Sequence, residues 1–325
     1  MSSEMFQGAL PDGAITRPPS AFDLLIDRSF RGLAFAAAGA IIVLLAYILW
    51  KIGAKALPAM GEYHVSFLTS SVWDVQNRSF GILPEIWGTL YSSLLALIVA
   101  GFFGLSVAIF LTQDFLPPKL AAVFRTVIEM LAAIPSVVFG LWGIFVVIPT
   151  IRPAADWLNV HLGWLPFFGT SLAGPGMLPA TIVLAIMVLP TITAISQDAL
   201  RSIPYRTKEA AYGMGATRWE SILKVLVPTA AGGIFSAMVL GFGRALGETM
   251  ALAMLIGNSN QISLSLFAPG DTLASLLASH FPEAGDIEVG ALMYAAMVLL
   301  AITLLVNILG NALLALTQRR ISGKS

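Results

Sequence analysis

Apolar runs long enough to cross a bilayer alternate with polar stretches along this chain. The runs are 32–50, 86–111, 120–148, 178–200, 226–256 and 289–316. At 1.5 Å per helical residue each spans, or comes close to spanning, about 30 Å of hydrocarbon. The pattern predicts an all-α, polytopic membrane protein with about six transmembrane helices. Three connections are long (57–84, 149–177 and 257–288), and the alternate ones cover 112–119 and 201–225. Residues 1–30 read as a polar arm with Pro11, Pro18 and Pro19, ending in a short amphipathic helix over 22–30. Residues 31–56 read as a first anchor. Ala54-Lys55-Ala56 has the look of a signal-peptidase site, but the run before it is too long and the arm not basic, so an uncleaved anchor is expected. Pro135 and Pro190 fall inside the third and fourth runs. Each should kink its helix, either freeing carbonyls toward a cavity or only improving packing.

Composition agrees: 57% of the 325 residues are hydrophobic and 11% charged, against about 25% charged in soluble domains. Net charge is zero, which gives no hint of nucleic acid. With no Cys there is no disulfide, thiolate nucleophile or Cys metal site. His64, His161 and His280 stand in three separate polar loops, read as loop residues and not as a metal cluster. The distribution of basic residues sets orientation. With the N-terminus inside, thirteen of the 18 Lys and Arg residues fall inside and four (Lys51, Lys55, Arg78, Arg152) outside, with Arg244 left within a span. Both termini and the 201–225 segment are therefore expected on the cytoplasmic side.

That segment is a polar island with helix signals of its own. Ser202 is placed to cap a helix starting at Pro204, which runs through Glu209, Ala210 and Ala211 and ends near Gly215. Thr217-Arg-Trp-Glu220 is a capping box for a second helix. Two capped helices exceed what a linker needs, so the island reads as a docking element for a soluble partner. A basic helix pair lying on the lipid surface is the alternative. Glu209-Ala210-Ala211, then Gly215, then Pro228 resembles the EAA loop of ABC-importer permeases, with Val225 and Val227 where that family favours Ile and Leu. The resemblance implies a short helix that docks into a cleft of a separate ATP-hydrolysing subunit.

The fifth run contains Gly243-Arg244-Ala-Leu-Gly247-Glu248-Thr-Met-Ala. Arg244 and Glu248 are four apart, so on a continuous helix they share a face and can pair. An Arg at the bilayer centre costs roughly 2.5–3.5 kcal/mol on insertion scales, so it needs a partner or water. Gly243 and Gly247 form a small-xxx-small surface for close helix packing. Either Arg244 lines an anion path, with Glu248 holding or releasing the anion, or the two form a structural ion pair. A guanidinium fork suits a tetrahedral oxyanion, with phosphate the natural candidate and sulfate its near rival. The 243–251 stretch, with I-E-M-L-A-A-I-P-S-V-V-F-G-L-W-G at 128–143, resembles the phosphate-specific ABC permease family of PstC type from the second run onward. The family implies a six-span type I importer permease, with a core over 85–318 and a cytoplasmic tail over 319–325. It implies a PstA-like second permease, a PstB-like ATPase dimer, an extracytoplasmic PstS-like phosphate-binding protein, a place in the cytoplasmic (inner) membrane, and roles for Arg244 and Glu248 in phosphate passage.

The energetics favour a driven process. One negative charge moved inward against 100 mV costs about 2.3 kcal/mol, so a dianion costs about 4.6 kcal/mol. A thousandfold gradient adds about 4 kcal/mol. The chain's Gly323-Lys324-Ser325 lacks the Gly of a P-loop, since Gln318 stands there. No catalytic residue and no cofactor are expected in this chain, and ATP is expected on a partner. A secondary transporter or channel would not need a doubly capped docking loop. An intramembrane enzyme would need catalytic spacing that the spans lack. A sulfate or molybdate permease remains the near alternative.

Overall fold

The computed structural model describes residues 21–322. Most of the N-terminal arm, with its three prolines, and the last three residues lie outside the described residues. The chain divides into two units, 1–52 and 53–325. In the first, the described residues are helical, within α1 (Ala21–Tyr63), and their large apolar side chains from Phe22 to Trp50 are exposed. The expected separate helix over 22–30 is part of α1. The expected loop from residue 57 instead begins as helix up to Tyr63.

In the second unit α2 (Ser66–Thr69) and a hairpin of β1 (Trp73–Asp74) and β2 (Ser79–Phe80) precede α3 (Leu83–Thr112). Then follow α4 (Pro118–Ala133), α5 (Ser136–Trp142), a π turn (Gly143–Val147), α6 (Ile148–Leu162) and α7 (Met177–Arg201). Next come α8 (Tyr205–Gly213), α9 (Arg218–Ser221), a second π turn (Ile222–Leu226), α10 (Val227–Thr229) and α11 (Ala231–Leu246). The chain continues through α12 (Met250–Leu255), α13 (Leu273–His280) and α14 (Asp286–Ser322). Among the described residues five helices are long and apolar enough to cross a membrane, or six when the bent pair 218–229 and 231–246 counts as one span.

Two spans differ from the sequence expectation. The third was read as 120–148, but the spanning element is Ser136–Leu162. Pro135 holds Ile134 extended (ψ 128°), as the residue before proline must be, and this ends α4. That helix carries Lys119, Arg125 and Glu129 and buries none of its residues. The shift places Arg152 inside the spanning helix, where it donates to the Ala173 carbonyl at 2.7 Å. The fifth was read as 226–256, but it bends by 68° after Thr229 and stops at Leu246. Pro190 sits within an unbroken α7. Each π turn ends two residues before a proline, Pro149 or Pro228. The missing N–H removes the α-type partner of the carbonyl four residues back.

The core forms where α3, α7, α11, α5 and α12 meet. Small residues let these helices approach closely. A Cβ on Gly241 would lie 2.8 Å from Ile192, and one on Gly101 2.9 Å from Met238. Gly310 of α14 sits against Val239. The pair expected to pack, Gly243 and Gly247, behaves differently. A Cβ on Gly243 would lie 3.5 Å from Asn307 of α14, while one on Gly247 would meet only its own preceding turn. At the end where α7 begins, the 257–272 loop supplies carbonyls to its free N–H groups: Met177 to Ala268 (3.0 Å) and Leu178 to Leu266 (2.6 Å). Trp87 and Tyr91 of α3 donate to the Ser263 and Leu264 carbonyls of the same loop. Glu288 of α14 accepts from Trp73 of the hairpin and pairs with His280 of α13, both at 3.1 Å. His161 is also helical, stacked on Trp157. Of the three histidines read as loop residues, only His64 is outside a helix, in a turn at φ +47°.

Gly88 leaves no room for a side chain, because its Cβ would collide with the backbone oxygen of Asp271. Gly88→Ala is expected to cost about 1–3 kcal/mol, read as a lower Tm in detergent. Gly61→Ala, with nothing within 4 Å, should not lower it. Burial pushes the Asp271 carboxyl above the usual Asp range, against hydrogen bonds from Ser275 and the Thr272 N–H. Its charged form therefore disfavours folding above the unfolded pKa, increasingly as pH rises, and not below it. Asp271→Asn keeps the acceptor oxygen, so its Tm should gain on the parent as pH is raised from about 4.

Candidate functional site

The segment 201–229 is built by local rules. α7 closes on Ser202, whose hydroxyl donates back to the Ala199 carbonyl at 2.8 Å. Ser202 was expected to cap the next helix and does not. Pro204 biases Ile203 away from helix and itself takes the N-cap position, so α8 begins at Tyr205 with no side-chain cap. The helix ends at Gly213, and Gly215 at φ +83° turns the chain. The Ala216 N–H reaches the Ala211 carbonyl (3.1 Å) and the Gly215 N–H reaches Tyr212 (2.9 Å), which is the Schellman pattern. The capping box of α9 is present. Glu220 N–H donates to Thr217 Oγ1 at 3.3 Å, and Thr217 N–H donates to Glu220 Oε2 at 3.1 Å.

Only one side of α8 is held. Ala211 is buried, and Lys208 bonds Asp114 at 2.9 Å, with Asp114 at φ +53° in the turn after α3. Arg218 donates to the Gln113 carbonyl and lies 3.9 Å over the Phe115 ring, which packs on Trp219. The other side is open. Glu209, Ala210 and Gly215 are exposed, with Tyr205, Tyr212 and Met214 beside them, Met214 at 81%. Gln113, Asp114 and Phe115 were missed in the sequence, where a Lys and an acid 94 residues apart give no local signal.

Pro228 is exposed and precedes the 68° bend into α11. Arg244 lies in the last turn of α11 and is exposed. Its basic charge suits the negative end of that helix. The backbone leaves helix at Gly247 and resumes at Met250, so Glu248 is not on the face of a continuous helix with Arg244. Among the described residues no ion pair joins them. The reason is the break: Gly247 is the C-cap, and the Thr249 hydroxyl donates to its carbonyl at 3.1 Å. Glu248 is half-buried. The site thus has two parts: an anchored loop with an open apolar and acidic side, and a guanidinium beside unwound backbone. Irregular backbone at membrane depth is tolerated where it is buried in protein or lines a wet cavity.

Residues 102–323 match the family of binding-protein-dependent transport system inner membrane components. The phosphate transport system permease protein PstC of Mesorhizobium japonicum is 38% identical over 288 residues, covering 87% of this chain and 88% of that protein. That of Xylella fastidiosa (strain Temecula1) is 38% identical over 307 residues, covering 92% and 93%. PstC 2 of Mycobacterium tuberculosis is 37% identical over 296 residues, covering 88% and 91%. Among solved structures, a chain of a bacterial alginate ABC transporter in complex with an alginate-bound periplasmic protein has a TM-score of 0.59 at 16% identity, covering 92% of this chain and 98% of that one. A chain of the inward-facing MetNI methionine ABC transporter has a TM-score of 0.54 at 19% identity, covering 73% and 95%. The structures share the fold.

Thr217→Ala removes an N-cap acceptor that is worth about 1 kcal/mol. Amide exchange over 217–224 should quicken about fivefold, with the α3 and α7 cores unchanged.

Proposed function

The chain belongs to the binding-protein-dependent transport system inner membrane components, and among them to the PstC-type permeases, and from that premise we propose that it is the membrane-spanning subunit of an ATP-driven importer carrying inorganic phosphate into the cytoplasm. The observation that carries the reading is the likeness to PstC proteins over about nine-tenths of the chain. The subunit itself hydrolyses nothing. A PstB-like ATPase pair binds ATP, a PstA-like permease completes the path, and a PstS-like protein delivers phosphate from outside. Both termini and the 201–229 segment face the cytoplasm, as the excess of Lys and Arg there requires.

The open side of α8, with Glu209, Ala210 and Gly215, meets the ATPase. Lys208–Asp114 and the Arg218 contacts pass its movement to α3, and the α9–α10 segment passes it to α11. ATP binding draws the ATPase subunits together and rocks the spans to face outside. Phosphate then enters beside Arg244, and hydrolysis reopens the inner side. At Arg244 a guanidinium that pairs with no carboxylate among the described residues offers two parallel donors to an oxyanion. Glu248, freed from the helix by the break at Gly247, is positioned to repel the anion and speed its release.

ATP-driven uptake of radiolabelled phosphate, in vesicles holding the complete complex, tests this. Arg244→Gln should lower uptake by about tenfold or more, the size of a lost charged hydrogen bond, with assembly intact. An excess of sulfate should leave parent uptake unchanged. Strong competition by sulfate would favour the broader oxyanion reading. Replacing Glu209 or Gly215 should weaken ATPase co-purification and uptake together, and unchanged docking would reject the lever.

A further inference from the structure

A second group of charges lies away from both parts of the site. α4 and α7 enclose a cleft of about 420 Å³ lined by Arg125 and Glu129 from one helix and Thr191, Gln197, Asp198 and Arg201 from the other. A water takes about 30 Å³, so the space holds a tetrahedral oxyanion and several waters. The cleft occupies the last three turns of α7, at the end that leads into α8. Its α7 residues fall on the face opposite Val188, Ile192 and Ala199, the side packed on α11. Arg244 is not part of it.

Two guanidiniums and two carboxylates share this cleft, yet among the described residues neither arginine lies within ion-pair distance of either carboxylate. Arg125 is half-buried while Glu129, Asp198 and Arg201 are exposed, so an ion pair within the cleft would offset the cost of half-burial only at Arg125. Here the charges stay apart. The Nε of Arg125 is shielded from solvent and has no hydrogen-bond partner. Among the described residues Arg201 donates only to the neutral Gln197 amide oxygen, at 3.3 Å. The shielded Arg125 Nε calls for an acceptor that arrives from outside the chain, and Arg201, exposed at the opening of the cleft, has a fork free to meet the same acceptor. Arginine forks match the edges of a tetrahedral oxyanion.

We propose that this cleft is a second anion site, and that it takes a tetrahedral oxyanion bearing at least one acidic O–H. The inference rests on the phosphate reading above and names the inner-side site that goes with it. Unprotonated oxygens accept from Arg125 and Arg201. The O–H groups donate to Glu129 and Asp198, which have no charged partner among the described residues. Inorganic phosphate near neutral pH carries one or two such protons. Sulfate carries none and would set bare oxygens against two carboxylates.

The test uses the complete parent complex, first scored for ATP-driven uptake of labelled phosphate. Arginines are then modified with phenylglyoxal, and the rate is read peptide by peptide by mass spectrometry, with and without millimolar inorganic phosphate. Phosphate should slow modification of Arg125 and Arg201 several-fold. Arg206, exposed and outside the cleft, is the control and should not change. Sulfate at the same concentration should protect neither cleft arginine in the parent, and Glu129→Gln should extend protection to sulfate. Equal rates with and without phosphate in a complex that takes up phosphate would overturn this site alone. A parent complex that takes up no phosphate would sink the functional reading and this site with it. Equal protection by sulfate in the parent would overturn the role given to the carboxylates.

Discussion

Inside a membrane no water satisfies a backbone N–H or C=O, so each residue that leaves the helix ladder must be accounted for. That constraint sorts this fold. Most of α3, α7 and α14 is unbroken helix, held by small residues at their crossings. The ladder is interrupted at Ile134–Pro135, after Thr229, and at Gly247–Thr249. The first frees α4 to lie beside α7, the second joins the docking loop to the fifth span, and the third sets a guanidinium beside unwound backbone. In this chain, departures from helix coincide with the places where chemistry or force transmission is proposed.

The loop and the membrane helices are joined by few but specific contacts. α8 makes a single turn of inward contact through Lys208 and Ala211, and the 113–115 turn ties both helices, α8 through Asp114 and α9 through Gln113 and Phe115. The exposed surface pair Lys224–Glu220 adds little beyond the capping box it flanks. The partly buried Lys208 is screened less by solvent, and the Arg218 guanidinium gains from the ring face it covers. The loop is therefore rigid in itself, through the Schellman turn and the capping box, and hinged on one corner of the bundle.

Much of this was legible because hydrophobic length and helix signals are local. The span count, the capping box at Thr217 and Glu220 and the turn at Gly215 all follow from neighbouring residues. The misreadings share a cause. An apolar run says nothing about continuity, so 120–148 hid the extended Ile134, and 226–256 hid both the bend and the break at Gly247. The i, i+4 spacing of Arg244 and Glu248 assumed a ladder that a glycine followed by Glu-Thr does not sustain. Ser202 lost its capping role to the constraint that Pro204 places on Ile203. The anchors at Asp114 and Phe115, and the Trp73–Glu288–His280 cluster, join residues far apart in sequence, and no local pattern announces such pairs.

The collision that a side chain at Gly88 would meet acts as a keyway. Its neighbours on the same face of α3, one turn away, are Pro84 and Glu85 on one side and Tyr91 and Ser92 on the other, so sliding the 257–272 loop by a turn in either direction would press a full side chain onto the Asp271 carbonyl. The loop cannot creep along that helix. Any rearrangement of the bundle must carry the loop, the start of α7 that it stitches, and the top of α3 together as one slab, and leave the flexing to the interrupted helices below.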